Sequence, residues 1–300
     1  MSSHHFGWVN DPIGVEKVLA VLPRPIFAYQ ANRITDSGKG KTVLLHEILG
    51  NLLGTFPIHK QEIGDCVSHG WALGIDVLKA VESVLKKEPE QFLAPTATEY
   101  LYYTGRVKVG GGKLGNDDGS LGAWQAKAVQ DHGVAARLKY DGVDLTEYSG
   151  KRAKEWGSPR AAIPPAVESA GRQHPVQTAS LITSYEDARD AIANGYPIPV
   201  CSMQGFSETR DGEGFARAQG QWAHCMLFMA VDDNPRRPGL LCMNSWGPDW
   251  ITGPKRLGQP DGSFWVEAAT VTSMLRQRDS YAISNFKGYP ARELPKNFAF

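Results

Sequence analysis

The sequence predicts an α+β protein, with helices dominating its first half and strands its second. Two observations carry this. Val67, Trp71, Ile75, Leu78, Val81 and Leu85 recur at spacings of three and four, while Asp76, Lys79, Ser83 and Lys86 fall mostly on the other side. That is the pattern of a long helix with one buried face. After Gly195 the period changes. PIPVCSM (197–203), MLFMAV (226–231) and LLCMN (240–244) are short apolar runs separated by turn residues, as buried strands are. This order predicts two packed lobes with a cleft between them.

The elements follow in sequence. Residues 1–55 read as an N-terminal arm, with PRPIFAYQ (23–30) extended and KTVLLHEILGNLL (41–53) helical in spacing. GKT at 40–42 is not a phosphate loop: position 35, where that motif needs glycine, is Thr, and no strand precedes it. The long helix starts near Cys66 and ends before Pro89. TATEYLYYTG (96–105) predicts a second helix, and VGGGKLGNDDG (109–119) a flexible surface loop. Ser120 can cap a helix running to about His132, closed by Gly133. Residues 150–178, rich in Pro, Gly, Ser and Arg, read as a connection. Ser184 and Asp187 form a capping box for a helix that Gly195 ends.

Composition excludes several classes. Thirty-two basic side chains balance thirty-two acidic ones, which gives no reason to expect a nucleic-acid groove or an anionic membrane partner. The charge runs KKEPE (86–90) and PRRP (235–238) read as solvated turns. Four cysteines without a C-x-x-C pair argue against a zinc ribbon or a disulfide scaffold and fit a reducing compartment. MSSHHFGWVNDPIG lacks the form of a secretion signal, and no run approaches the roughly 20 apolar residues of a membrane helix. These features predict a cytoplasmic site of synthesis, no membrane and no cofactor.

QEIGDCVSHGWA (61–72) sets Cys66 in a glycine-flanked turn at a helix start. Unpaired N–H groups there favour a thiolate, and a neighbouring imidazole held by a third group favours it more. Among eight histidines, His69 lies one turn along the same helix, too close in the chain for a direct exchange with substrate in between. His4 and His5 lie at a frayed terminus. His46, His59, His132 and His174 lack polar companions in sequence. His224 differs. The two apolar runs around DDNPRRPG predict an antiparallel hairpin. His224 is then at the start of its first strand and Asn244 at the end of its second, near one another. Core packing is the reading for Cys201, Cys225 and Cys242.

NSWGPDW (244–250) resembles the asparagine segment of papain-like cysteine peptidases. WAHCMLFMAVDD resembles their histidine strand, and QEIGDCVSHGWA their cysteine turn and helix. The order Cys, His, Asn is the same, and the likeness runs from about residue 57 to 285. It implies a papain-like two-lobe fold, with a helical lobe (about 56–150), a connection (151–178) and a β-barrel-like lobe (179–290) around a cleft. Residues 1–55 would be an arm or short pro-like segment, and 291–300 a tail. It also implies a thiol hydrolase of peptide bonds. Cys66 would attack as the thiolate, His224 would form its ion pair and protonate the leaving amine, and Asn244 would orient the imidazole under Trp246. Gln61 would join the backbone N–H of Cys66 in an oxyanion hole, and Gly119 and Ser120 would line the substrate. The partner would be a peptide or protein substrate.

This chain departs from the pattern in several places. Val67 follows the cysteine where the family has an aromatic residue, and Gln61 lies five residues before it rather than six. The second cysteine of the family's turn is absent, and Gly119–Ser120 stand for its paired glycines. An alternative reading is a structural or binding protein on the same fold: a phage virion component that meets a neighbour through the N-terminal arm.

Overall fold

A computed structural model describes residues 5–30, 34–88 and 92–294. The chain begins as an extended stretch over residues 5–9 and turns into α1 (Pro12–Leu19). Asp11 caps this helix by accepting from the Gly14 N–H at 2.9 Å, and Pro12 takes the first helical position. PRPIFAYQ carries a 3₁₀ turn at Phe27–Tyr29 instead of being extended throughout. KTVLLHEILGNLL divides into β1 (Thr42–Leu44) and α2 (Leu45–Leu53). Its first residues find a strand to pair with, and that long-range ladder overrides the helical spacing.

The predicted long helix is α3 (Cys66–Lys86), buried on nearly every face for its first four turns. The second helix, α4 (Thr98–Tyr103), runs on into a π-helical turn at Thr104–Val109. There the Arg106 guanidinium is buried and gathers the loop around itself. It donates to the carbonyls of Gly119 (2.5 Å), Asp117 (2.6 Å), Gly115 (3.1 Å) and Gly157 (3.0 Å), and stacks on Tyr102. The glycine-rich stretch 109–119 is therefore pinned to a cation, not a free surface loop.

Next comes α5 (Gly122–Asp131). Ser120 does not cap it. The Gly122 and Ala123 N–H groups donate at 2.7 Å to the distant carboxylate of Asp279, a partner that local sequence cannot reveal. A two-strand ribbon follows, β2 (Lys139–Tyr140) with β3 (Val143–Asp144). The stretch read as a bare connection holds two short helices, α6 (Gly150–Trp156) and α7 (Pro165–Arg172). β4 (Thr178–Leu181) leads to α8 (Tyr185–Ala193), where Ser184 Oγ accepts from the Asp187 N–H as the capping box requires.

The main sheet is built from β5 (Ile198–Arg210), β6 (Ala216–Asp232), β7 (Gly239–Met243) and β8 (Ser263–Glu267). Its order is β1-β6-β7-β8, with β5 also on β6, and every ladder is antiparallel. The chain closes with α9 (Ala268–Leu275) and β9 (Tyr281–Ser284), which pairs with β4. The expected barrel-like closure is absent among the described residues: no ladder returns from β8 to β5 or β1. β6, 17 residues long, pairs with β5, β1 and β7.

Helix α3 lies across β6 and β5 by glycine contact. A Cβ on Gly70 would sit 2.9 Å from the Met226 carbonyl oxygen, and one on Gly74 would sit 3.1 Å from Leu227. These glycines let the start of the helix close onto the strand that carries His224. Of the expected tail 291–300, residues 295–300 lie outside the described residues, as does His4. Arg292 is tied in: its guanidinium pairs with Glu82, and its backbone N–H donates to Asn194.

Candidate active site

Cys66 is the first residue of α3, fully buried, and the Cys225 N–H donates to its sulfur at 3.4 Å. His224 precedes Cys225 on β6 and so points to the opposite face of the strand. It lies within that strand, not at its start, because β6 begins at Ala216 and first pairs with β5. Asn244 directly follows β7. The β6–β7 ladder slips by one residue between Phe228 and Ala230 and still brings His224 and Asn244 together. His224 Nε2 is 2.7 Å from Asn244 Oδ1. An amide oxygen accepts, so the proton on that edge of the imidazole belongs to Nε2. The Ser245 N–H also donates to the same oxygen at 2.7 Å, and the Trp246 ring covers His224 at 4.7 Å between centroids.

Gln61 is buried beside this pair. Ser245 Oγ donates to its Oε1 at 2.6 Å, which fixes the amide so that Nε2 points away, to the carbonyls of Ile63 (2.9 Å) and His5 (3.2 Å). Gly119 and Ser120 stand across the site at the end of the Arg106-bound loop. Sequence reasoning named these residues but not the chain segment that runs between them.

That chain is the protein's own residues 5–9. Trp246 Nε1 donates to the His5 carbonyl at 3.1 Å, and the Phe6 ring meets His224 and Trp246 edge-on. Gly7 and Trp8 both donate to the Ala223 carbonyl, at 3.2 and 3.1 Å. The Ser120 N–H donates to Gly7 O at 2.8 Å, and the Val9 N–H to Ser120 O at 2.9 Å. Gly7 is required by contact: a Cβ there would lie 1.9 Å from the Gly64 carbonyl oxygen. The signal in the sequence was a glycine between two aromatic residues in HFGWV, legible only once its neighbour Gly64 is known.

Burial pushes the Cys66 thiol well above its ordinary value, and the nearby Cys225 and Asp65 add to the rise. Backbone N–H groups of Cys225 and Gly7 oppose it by donating to the sulfur. Sequence reasoning also missed a polar group behind the cysteine. Asp65 accepts from Tyr148 OH at 2.9 Å, lies 3.4 Å from His69 Nε2, and His69 Nδ1 is 3.2 Å from His59 Nδ1. Among the described residues no three metal-ligating side chains gather to hold an ion, and no helix is long and apolar enough to cross a membrane.

An open antiparallel sheet, crossed by a helix that opens on a cysteine, with His on one strand and Asn just after its neighbour, is the architecture of the papain-like fold. The solved structures agree. Xylellain, a cysteine protease from Xylella fastidiosa, matches over 93% of this chain and 91% of its own, with a TM-score of 0.52 and 17% identity. ProCathepsin B S9 from Trypanosoma congolense matches over 93% of this chain and 85% of its own, at 0.55 and 12%. Amb a 11, a ragweed pollen cysteine protease in its proform, matches over 93% and 76%, at 0.54 and 16%. No protein-family model matches the chain, and no curated protein matches its sequence.

Proposed function

We propose that this protein is a thiol peptidase held latent by its own residues 5–9, which fill the cleft between a helical and a sheet-bearing lobe. The observation that carries the reading is the 2.7 Å His224–Asn244 bond on the strand whose next residue, Cys225, donates to the Cys66 sulfur. Cys66 would attack a peptide carbonyl as the thiolate, and His224 would take and return the proton under the guidance of Asn244. Gln61 Nε2, already bound to a carbonyl oxygen of residue 5, would serve the oxyanion together with the Cys66 backbone N–H. Ser120 and the Ala223 carbonyl, now paired with residues 7–9, would hold a substrate backbone.

The covering strand explains how a site of this kind can contain a protonated thiol. Its departure would expose Cys66 and remove the largest cause of the raised pKa. The test is alkylation of each cysteine against pH, mapped by mass spectrometry, together with hydrolysis of an unfolded protein substrate. Gly7→Ala should speed alkylation of Cys66 and turn on hydrolysis, and adding His224→Ala should abolish both gains. Hydrolysis that never appears in Gly7→Ala, with Cys66 titrating as an ordinary thiol, would sink the peptidase reading.

The second reading is a binding protein on this fold. The filled site and the raised thiol favour it, and it predicts that inert outcome. Docking through the N-terminal arm would need residues 5–9 to be released, since they are engaged with the protein's own body.

A further inference from the structure

Building on the reading of Cys66 as nucleophile, we propose that His69, backed by His59, sets the charge beside that nucleophile by carrying a proton against Asp65. It is a positioning residue that never touches substrate. The starting point is a misplaced charge. Asp65 immediately precedes Cys66 and is fully buried. An aspartate in this N-cap position ordinarily accepts from the first N–H groups of the helix; the Asp65 side chain makes no such bond. Its Oδ2 takes the Tyr148 hydroxyl and faces His69 Nε2 at ion-pair distance, and its Oδ1 has no hydrogen-bond partner among the described residues. A buried carboxylate next to a sulfur that must become an anion works against the reaction unless something cancels it.

The histidine pair can do so. With the two Nδ1 atoms 3.2 Å apart, one must donate and the other accept. Two arrangements keep a proton on His69 Nε2, which lies 3.4 Å from Asp65 Oδ2 at ion-pair distance without a hydrogen bond. In the first, His59 donates, His69 is neutral, and Asp65 keeps its full charge. In the second, His69 donates, is an imidazolium, and cancels Asp65, while His59 changes tautomer. The states differ by one added proton, and no heavy atom needs to move. Little water can enter to screen the change: the cavity lined by His59, His69, Cys225, Asn244 and Ser245 has a volume of about 10 Å³, at most room for one water.

The surroundings favour His69 as the carrier. Burial pushes His59 well down, and the positive charges of His69 and Arg137 push it further. Arg137 faces the Tyr148 ring and is neutralised by Glu99. Tyr148 is held neutral, with burial raising its pKa far above the ordinary phenol value and Asp65 adding to the rise. Glu62, on the far side of Tyr148, accepts from the Gly150 N–H. From β6, the Cys225 N–H donates to the Cys66 sulfur, and His224 Nε2 meets Asn244 Oδ1. His69 is thus the basic side chain turned to Asp65.

The experiment is the pH profile of Cys66 alkylation by iodoacetamide in the full-length chain, for wild type and for Gly7→Ala. Each is paired with Asp65→Asn, His69→Gln and the double variant. Asp65→Asn should move the Cys66 midpoint down by about one pH unit, a tenfold gain at fixed acidic pH, and His69→Gln should move it up by about as much. The double variant should behave as Asp65→Asn alone, because His69 acts through that carboxylate. Equal midpoints for wild type and His69→Gln, or fully additive shifts in the double variant, overturn the inference. If His69→Gln does not fold, imidazole ¹⁵N shifts in Cys66→Ala decide. Protons on both ring nitrogens of His69, lost in Asp65→Asn, are expected; a His69 with a single ring proton in both proteins refutes it. His224→Ala separates the layers. If it leaves the Cys66 profile untouched, the nucleophile reading falls. If it raises the midpoint while His69→Gln does not, the present inference alone falls.

Discussion

Residues 5–9 and residues 42–53 belong to the same N-terminal stretch, yet they are held in different ways. Thr42–Leu44 add a strand to the main sheet, in register with Ala230–Asp232, and the next helix buries Leu45, Ile48 and Leu49 completely. Residues 5–9 are attached by backbone hydrogen bonds, by the side chains of Trp246 and Gln61 donating to the His5 carbonyl, and by one buried ring, Trp8, while Phe6 is 42% exposed. Apolar burial at roughly 25 cal/mol per Å² makes the first attachment part of the fold. The second rests on bonds worth about 1 kcal/mol each, which water can replace, and on the single buried ring of Trp8. What the sequence presents as one arm is a strand and helix built into the fold, preceded by a short segment laid over the candidate site.

The sharpest way to break this comparison is to cut at two places. Deleting residues 1–53 should leave no soluble folded protein, whereas deleting residues 1–10 should leave a cooperative melt, lowered by a few degrees. Circular dichroism on both truncations checks this. If the short truncation also fails to fold, the short segment is structural after all. Point variants sharpen the same contrast. Leu49→Ala should cost about 2–5 kcal/mol of stability in urea, the range for emptying a fully buried site. Gly7→Ala should instead speed Cys66 alkylation by roughly 10–100-fold, since each 1.4 kcal/mol taken from the closed state is about tenfold in opening. A large loss of stability in Gly7→Ala without faster alkylation would reverse the two roles.

The smallest expected effect concerns the joint between that segment and the body. Trp8 Nε1 donates at 2.7 Å to Asp279, the carboxylate that also caps α5. Burial raises the Asp279 pKa to about 7, against the lowering effect of Trp8, Gly122, Ala123 and Tyr281. A carboxyl with a raised folded pKa stabilises the fold fully below its unfolded value, near 4, and loses that contribution as pH rises through about 7. Between pH 5 and 8 the wild type should therefore lose more stability than Asp279→Asn, by a few kcal/mol at most. Parallel pH dependences for the two would show that the three N–H donors keep Asp279 ionised throughout.

Much of the site was legible because its signals are local. Cys66 at a helix start, His224 in an apolar run and Asn244 before SWG each carry a pattern within a few residues. Where prediction failed, the cause lay far along the chain. Ser120 lost its capping role to Asp279, β1 was drawn out of a helical pattern by β6, and the loop at 109–119 was ordered by Arg106. The polar group behind Cys66 was invisible for the same reason. His59, Asp65, His69 and Tyr148 look unremarkable one at a time, and their meaning lies in two distances of 3.2 and 3.4 Å.

By itself the sequence determined the long helix after Cys66, the strand-rich second half and the candidate site residues, because periodicity and residue chemistry act over short range. Tertiary structure alone decided that the sheet stays open, that residues 5–9 lie across Cys66, and that a histidine pair faces its neighbouring carboxylate. Those outcomes depend on which distant groups meet once the core has formed. A backbone passing Gly64 with no room for a Cβ is a fact of two chain segments at once.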